Sequence, residues 1–416
     1  MRPLRVIHAA DCHLDAPSRS LAREVRERVE HSARAAVERL IALAVDREAD
    51  ALVLAGDLFD RDLVRIPTEL WLPEVLAEAT NAGVTVIAVT GNHDPGGGAG
   101  PLDRIGWPTA RFHLVRDRMP RTIELRRPDG ALAGLVVAAG HESPRERDNL
   151  VATFPTVEAD VPVIGLVHCQ VHGYEGEHDR YAPCTTADLV GHGVDYWALG
   201  HVHTAVGVST EPAAWYSGCL QGRHFGETGA KGALDVEFGP DGPAVEFRPL
   251  APVRWQELVL DDLGEVADTR GLVEHCERRF DDLARERGVL PGQDWVLRVR
   301  LTGRTPFFAE LLGAEAADDL GLALRERLQI LDVEVRDEGV MPPVDVAEHR
   351  GQPHVLGAAL DLIRQARSDE QVLSEIAPGA LAAAPTDPTA RAAYLRALLD
   401  GLDVEIVAAM LEEQGR

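Results

Sequence analysis

The chain has 416 residues, 45% hydrophobic and 26% charged, the usage of a soluble globular protein and enough, at ~150 residues per domain, for two or three compact units. Its formal net charge is -26, from 42 basic and 68 acidic residues, which excludes a protein that coats nucleic acid by bulk electrostatics; Lys231 is the only lysine among those 42. Five scattered cysteines without CxxC spacing exclude a disulfide framework, no apolar run approaches a membrane span, and Arg2 and Arg5 lead straight into a strand-like VIHAA, so a cytoplasmic protein with no membrane attachment is expected.

In chain order, the apolar run 4–10 predicts a buried strand, 20–49 a long amphipathic helix, 51–56 a strand, 67–82 a helix and 84–90 a strand. Turn residues Pro128-Asp129-Gly130 and Gly239-Pro240-Asp241-Gly242 each predict a hairpin. The fold class expected is α/β: a layered mixed β-sheet core, parallel in the centre and antiparallel at its edges, with helices on its faces, a small α+β capping domain and a helical C-terminal tail. The capping domain is expected from strand 255–260, helix 270–287, strand 295–301, helix 307–328 and strand 330–336, and helices are expected at 355–367 and 390–413. This divides the chain into 1–252, 253–340 and 341–416. Within the last helix Leu395, Leu399, Leu402, Ile406 and Met410 form one apolar stripe, with no obvious core to cover.

Each predicted strand of the first domain ends in residues that can bind metal. Asp11 and His13 follow the first, Asp57 the second, and Asn92 and His93 the third; His168 ends VPVIGLVH, and His201 and His203 follow VDYWALG. In open α/β sheets ligands collect outside the carboxyl ends of the strands, so these scattered positions predict one site. Carboxylates and imidazoles without cysteine suit two divalent ions, Mn2+ above all, with Fe2+, Zn2+ or Mg2+ as alternatives; the seven candidates other than His93 exceed what one ion takes, and Asp57, on the central strand, is the expected bridge.

The motifs DCH, GDLFD, GNHD, VHC and GHVH, in that order, resemble those of the calcineurin-like metallophosphoesterases. Their arrangement is similar to the SbcD/Mre-type DNA-repair exonucleases, and DYWALGHVH with YSGCLQGRHFGETGAKG resembles the YhaO-like branch. The resemblance implies that Asp11, His13, Asp57 and His203 hold one metal and Asp57, Asn92, His168 and His201 the other. It also implies that His93 meets the scissile phosphate or protonates the leaving oxygen, with Asp94 orienting its ring. Many relatives carry histidine where this chain has Asp60. His224, beside Arg223 in a glycine-rich loop, is a candidate replacement and the pair a candidate phosphate contact; the alternative is that the glycines only make a tight loop. Tyr181, His141, His172, His178, Cys12 and Cys169 are expected to be packing residues.

The resulting expectation is a dimetal DNA nuclease acting at DNA ends in repair. The resemblance adds a homodimer working with an SMC-like ATPase bound through the C-terminal helices. Two other functions remain open: a small-molecule phosphodiesterase or phosphatase, which suits the acidic charge better, and an interaction subunit that tethers an ATPase to DNA.

Overall fold

The structure is a computed structural model that describes residues 2–17, 22–60, 64–97, 100–174, 181–311, 313, 315–341, 350–376, 385, 387–399, 402–403, 406–407 and 410. The chain forms two compact units, Met1–Gln256 with Leu290–Trp295, and Glu257–Val289 with Val296–Arg416. Among the described residues no helix is long and apolar enough to cross a membrane.

The first unit is α/β with two mixed sheets. β1 (Leu4–Ala9), β2 (Ala51–Ala55) and β3 (Thr85–Val89) are mainly apolar and almost wholly buried strands that pair in parallel. With β4 (Phe112–Val115), β11 (Gly232–Gly239) and β12 (Gly242–Pro249) they give the order β12-β11-β1-β2-β3-β4, antiparallel at the β11 and β12 edge. The second sheet, β5-β6-β7-β8-β10-β9, is built from β5 (Arg121–Arg126), β6 (Leu132–Ala139), β7 (Val163–His168), β8 (Tyr196–Gly200), β9 (Val206–Thr210) and β10 (Ala213–Tyr216). Its centre is parallel and its two edges antiparallel. Both expected hairpins form, as β5–β6 and β11–β12.

Between the sheets, Val6, Val53 and Ile87 meet Val136, Ile164 and Tyr196 in a dry core. Among the described residues α-helices cover the outer face of the first sheet: α1 (Arg23–Asp46) and α2 (Ile66–Asn81) lay Leu40, Ile41, Leu72 and Leu76 on Ile7, Leu52 and Val86. The outer face of the second sheet is closed by loops and single turns, with Leu150, Phe154 and Leu189 packed on Val167 and Trp197. The connections between β6, β7 and β8 carry no amphipathic run long enough for a helix.

β13 (Val253–Leu260), β14 (Asp294–Arg304) and β15 (Asp332–Met341) form a three-stranded sheet, which apart from Val253–Gln256 and Asp294–Trp295 belongs to the second unit. Helix α3 (Thr269–Arg287) is N-capped by Asp268 and buries Leu272, Cys276 and Phe280, one apolar position per turn. The helix expected at 307–328 is interrupted: α4 (Phe308–Leu311) is a single turn, and α5 (Ala316–Leu328) starts after Gly313 and Glu315. Residues 290–295 belong to the first unit, where Asp294 N donates to Pro252 O at 2.9 Å, Gln293 to Ala251 O at 2.8 Å, and Arg254 lies over Trp295 at 4.7 Å. A chain cut at 252 would therefore lose part of the first unit.

The tail contains α6 (Val355–Ser368), α7 (Glu370–Ile376) and α8 (Pro388–Leu398). The apolar stripe does have a core: Leu395 and Leu399, each 7% exposed, pack with Ala366, Leu373 and Ala392, and Arg367 donates to Leu399 O at 2.6 Å. Residues 342–349, in the expected linker, and 411–416 lie outside the described residues. We expect Leu395→Glu with Leu399→Glu to open this cluster, so that limited trypsin digestion cuts within 355–399 while the parent chain is still intact there. Mass spectrometry of the fragments checks it.

Candidate metal centre

Strand ends of both sheets converge on one point, and the backbone is strained where they do so. Asp11, His13, Asp57 and His201 all have positive φ, at 51°, 44°, 50° and 104°. Such conformations cost non-glycine residues on the order of 1–3 kcal/mol each and persist only where the surroundings impose them. The glycines that precede the motif residues are required by close approach. A Cβ on Gly200 would lie 1.8 Å from Ala55 O, one on Gly91 2.2 Å from Asp57 Oδ1, and one on Gly56, itself at φ 90°, 2.4 Å from His168 Nδ1.

Donor atoms of Asp11, His13 and His203 lie within 4.8 Å of one another, as do those of Asp11, Asp57 and His168, and those of His13, Asp57 and His93. The His13 and His203 Nε2 atoms face each other at 3.2 Å. His203 Nδ1–H donates to Glu227 Oε1 at 2.7 Å, and His13 Nδ1 stands 3.3 Å from Asp60 Oδ1, so both rings turn Nε2 inward. His168 repeats the pattern: Nδ1–H donates to Ala55 O at 2.9 Å, and the bare Nε2 lies 2.9 Å from Asn92 Oδ1 and 3.5 Å from Asp57 Oδ2. Acceptors turned on acceptors repel unless a cation lies between them, so this donor set fits divalent metal. Burial raises the Asp11 carboxyl against the opposing pull of His203, and Asp57 adds to the rise. Burial likewise pushes the His13 imidazole down to about 3. His201 is placed beside this group, its backbone N–H donating to Asp11 Oδ2 at 3.1 Å and its ring edge-on to His168 at 5.2 Å, but it is a member of none of these donor groups.

His93, whose side chain is 41% exposed, stands at the open side of the centre. Its Nδ1 donates to the main-chain carbonyl of Asp60 at 2.7 Å, with Asp60 Oδ1 at 3.6 Å. Asp94 does not orient that ring. Its carboxylate accepts from Leu58 N at 2.7 Å, Phe59 N at 3.3 Å and Gly91 N at 2.7 Å, and so clamps the GDLFD turn to the GNHD turn; three backbone donors already point at this short, buried side chain. The residue that serves His93 is Asp60. Burial alone would raise its carboxyl, but His13, Arg223 and His93 hold it at about 2.

Arg223 is a strut. Its Nη1 donates to Asp60 Oδ1 at 3.1 Å and its Nη2 to Glu227 Oε1 at 2.7 Å, so Glu227–Arg223–Asp60 ties His203 to His13 and His93. His224 is turned outward, 60% exposed at its side chain, its Nδ1 accepting from Gly226 N at 3.1 Å. Tyr181 packs edge-on to His201 at 5.7 Å. His141, buried, donates Nε2–H to His168 O at 2.7 Å, and the Cys12 and Cys169 thiols are fully buried. His178 lies outside the described residues. Sequence reasoning assigned no role to Glu227 and read Asp60 only as a missing histidine; the signal for Glu227 was an acidic residue four positions after Arg223 in the same glycine-rich loop.

The profile of the calcineurin-like phosphoesterase family matches residues 4–205, and that of the metallophosphoesterase YhaO middle domain matches residues 255–336. Metallophosphoesterase YhaO of Bacillus subtilis is 32% identical over 329 residues, 76% of this chain and 79% of that protein. The DNA double-strand break repair protein Mre11 of Haloferax volcanii is 26% identical over 67% of this chain and 58% of its own length, and Mre11 of Methanopyrus kandleri 29% identical over 80% and 73%. The chain belongs to the calcineurin-like metallophosphoesterases, in their YhaO-like branch, and is a phosphoesterase hydrolase. The fold implies a dinuclear divalent metal site, which the clustered carboxylates and imidazoles fit.

Gly200→Ala should drive a methyl group into Ala55 O and separate the two sheets at the centre. We expect destabilisation of at least ~1–3 kcal/mol together with loss of bound metal, read from thermal melts and from metal content by elemental analysis.

Proposed function

We propose that this protein is a dimetal DNA nuclease, using Mn2+, that hydrolyses phosphodiester bonds at DNA ends in repair. The observation that carries the reading is the convergence of bare imidazole nitrogens and carboxylates on a point beside the partly exposed His93. The DNA substrate is supported by the similarity to Mre11 proteins of Methanopyrus and Haloferax, whose names state double-strand break repair, and by its extent: 361 residues and 80% of this chain in one case, well beyond the phosphoesterase match.

In this proposal Asp11, His13, Asp57 and His203 hold one ion and Asp57, Asn92, His168 and His201 the other. Bound there, the two ions supply charge neutralisation at the phosphate and a lowered pKa for the attacking water. His93 keeps its Nδ1 proton on the Asp60 carbonyl, which turns Nε2 toward the phosphate; in the imidazolium form Nε2–H donates to the departing oxygen. Asp60, anionic across the working pH range, stabilises that imidazolium at 3.6 Å. Arg223 and Glu227 hold Asp60 and His203 in place, so the guanidinium acts on the site's own carboxylates rather than as a phosphate clamp, and His224 stands at the rim. An SMC-like ATPase docking on the C-terminal helices would meet the outward Leu362 and Leu398, since Leu395 and Leu399 are spent on the tail's own core.

A small-molecule phosphodiesterase is the second reading, favoured by the net charge of -26 and by the neutralisation of Arg223 between two carboxylates. One assay separates them. With Mn2+, the purified chain should shorten linear duplex DNA; hydrolysis of a chromogenic phosphodiester with the duplex left intact selects the second reading.

The assignment of roles has its own test. Asp57→Ala should lose activity and both ions together, whereas His93→Ala should keep both ions and lose about 10²–10⁴-fold in turnover, the usual worth of a positioned proton donor. Full turnover by His93→Ala, or equal metal loss in both variants, would overturn the division between ligands and proton handling.

A further inference from the structure

We propose that Lys231 is a positioning residue of the metal centre, holding the main chain of His203 through a buried ammonium that arginine cannot replace. The inference rests on the reading of His203 as a metal ligand.

Lys231 is the one lysine in a chain with 42 basic residues. Wherever else this chain needs a cation it uses a guanidinium, so the single exception marks a place where an ammonium is wanted. That place is the segment entering β11, next to the metal centre and only 6% exposed. Its Nζ donates at 2.7 Å to the main-chain carbonyl of His203, which also accepts from Cys219 N at 3.3 Å. Among the described residues the ammonium makes no other hydrogen bond and no ion pair. Withdrawing a charge from water without a counter-ion is costly, and in most folds a buried lysine is therefore matched by a carboxylate.

The return on that cost is the orientation of one imidazole. Glu227 fixes the ring of His203 through Nδ1, and Lys231 fixes the peptide that carries it through the carbonyl, so ring and backbone are held from two sides by charge-assisted bonds. The turn has no slack: a Cβ on Gly218 would stand 2.7 Å from Ala205 N and 3.1 Å from His203 O. A compact ammonium on a flexible stem can reach a carbonyl in such a space, whereas a planar guanidinium with five donors is wider and would leave several of them without acceptors.

The experiment compares the full-length chain with Lys231→Met and Lys231→Arg by equilibrium Mn2+ titration, and by the rise in melting temperature that Mn2+ gives each protein over its own metal-free baseline. The parent should bind two ions; one ion or none overturns the dimetal reading itself, independently of Lys231. Given two ions in the parent, Lys231→Met should bind one with parental affinity and the other at least about tenfold more weakly, as loss of an outer support does, with a correspondingly smaller metal-induced rise. Lys231→Arg should not restore it. Unchanged affinity in Lys231→Met overturns the inference, as does tighter binding, which removal of a merely repulsive charge would give. Equal weakening of both ions overturns it as well, because that is the mark of a general loss of fold, and parental affinity in Lys231→Arg overturns the requirement for lysine.

Discussion

Everything about the centre depends on backbones coming closer together than side chains ordinarily permit. The carboxyl ends of β2 and β8, one from each sheet, touch where Gly200 meets Ala55 O at a distance no Cβ could occupy. Gly56 and Gly91 give the same licence around His168 and Asp57. Because five strand ends then share one small volume, short side chains such as Asp57 and Asn92 reach the same point as imidazoles from the opposite sheet. The positive φ values of Asp11, His13, Asp57 and His201 are the conformational cost of aiming them there. That cost is borne by the dry core between the sheets, where apolar strands leave the backbone no alternative course.

Around the converging donors lies a shell of residues whose work is to decide which nitrogen of each imidazole keeps its proton. Ala55 O takes the Nδ1 proton of His168, Glu227 that of His203, and the Asp60 carbonyl that of His93. Each choice leaves Nε2 facing inward or toward solvent. The Glu227–Arg223–Asp60 chain makes two of these choices interdependent, so that the rings of His203 and His93 are braced by one guanidinium. It also shows how an acidic protein can place a guanidinium at this centre already matched to carboxylates, Arg223 being held between Asp60 and Glu227.

Much of this architecture was legible in the order of the residues, for a physical reason. Strands buried on both faces must be apolar throughout, so β1, β2, β3, β7 and β8 stand out as runs, and any polar residue that ends such a run is conspicuous. Asp11, Asp57, Asn92, His168 and His201 could therefore be read one strand end at a time. Elements held by context rather than composition were not legible: β4, β9 and β10 are short, and their sequences say little until a neighbouring strand offers hydrogen bonds. The helix expected at 307–328 is interrupted between Leu311 and Ala316, which a periodic apolar pattern does not record.

What the sequence determined by itself is therefore the class of chemistry: hard and nitrogenous donors at the ends of buried strands, in an order that resembles one family of phosphoesterases. What only the tertiary structure decided is which group touches which. Asp94 sits next to His93 in the chain and reads as its partner, yet three backbone N–H groups occupy it, and the carbonyl that holds His93 comes from Asp60, thirty-three positions away. The stripe at Leu395 and Leu399 reads as a surface awaiting a partner, yet α6 and α7 fold back to cover it. In both cases periodicity and adjacency specify what a side chain can do, and hydrogen-bond geometry and packing across distant segments determine where it does it.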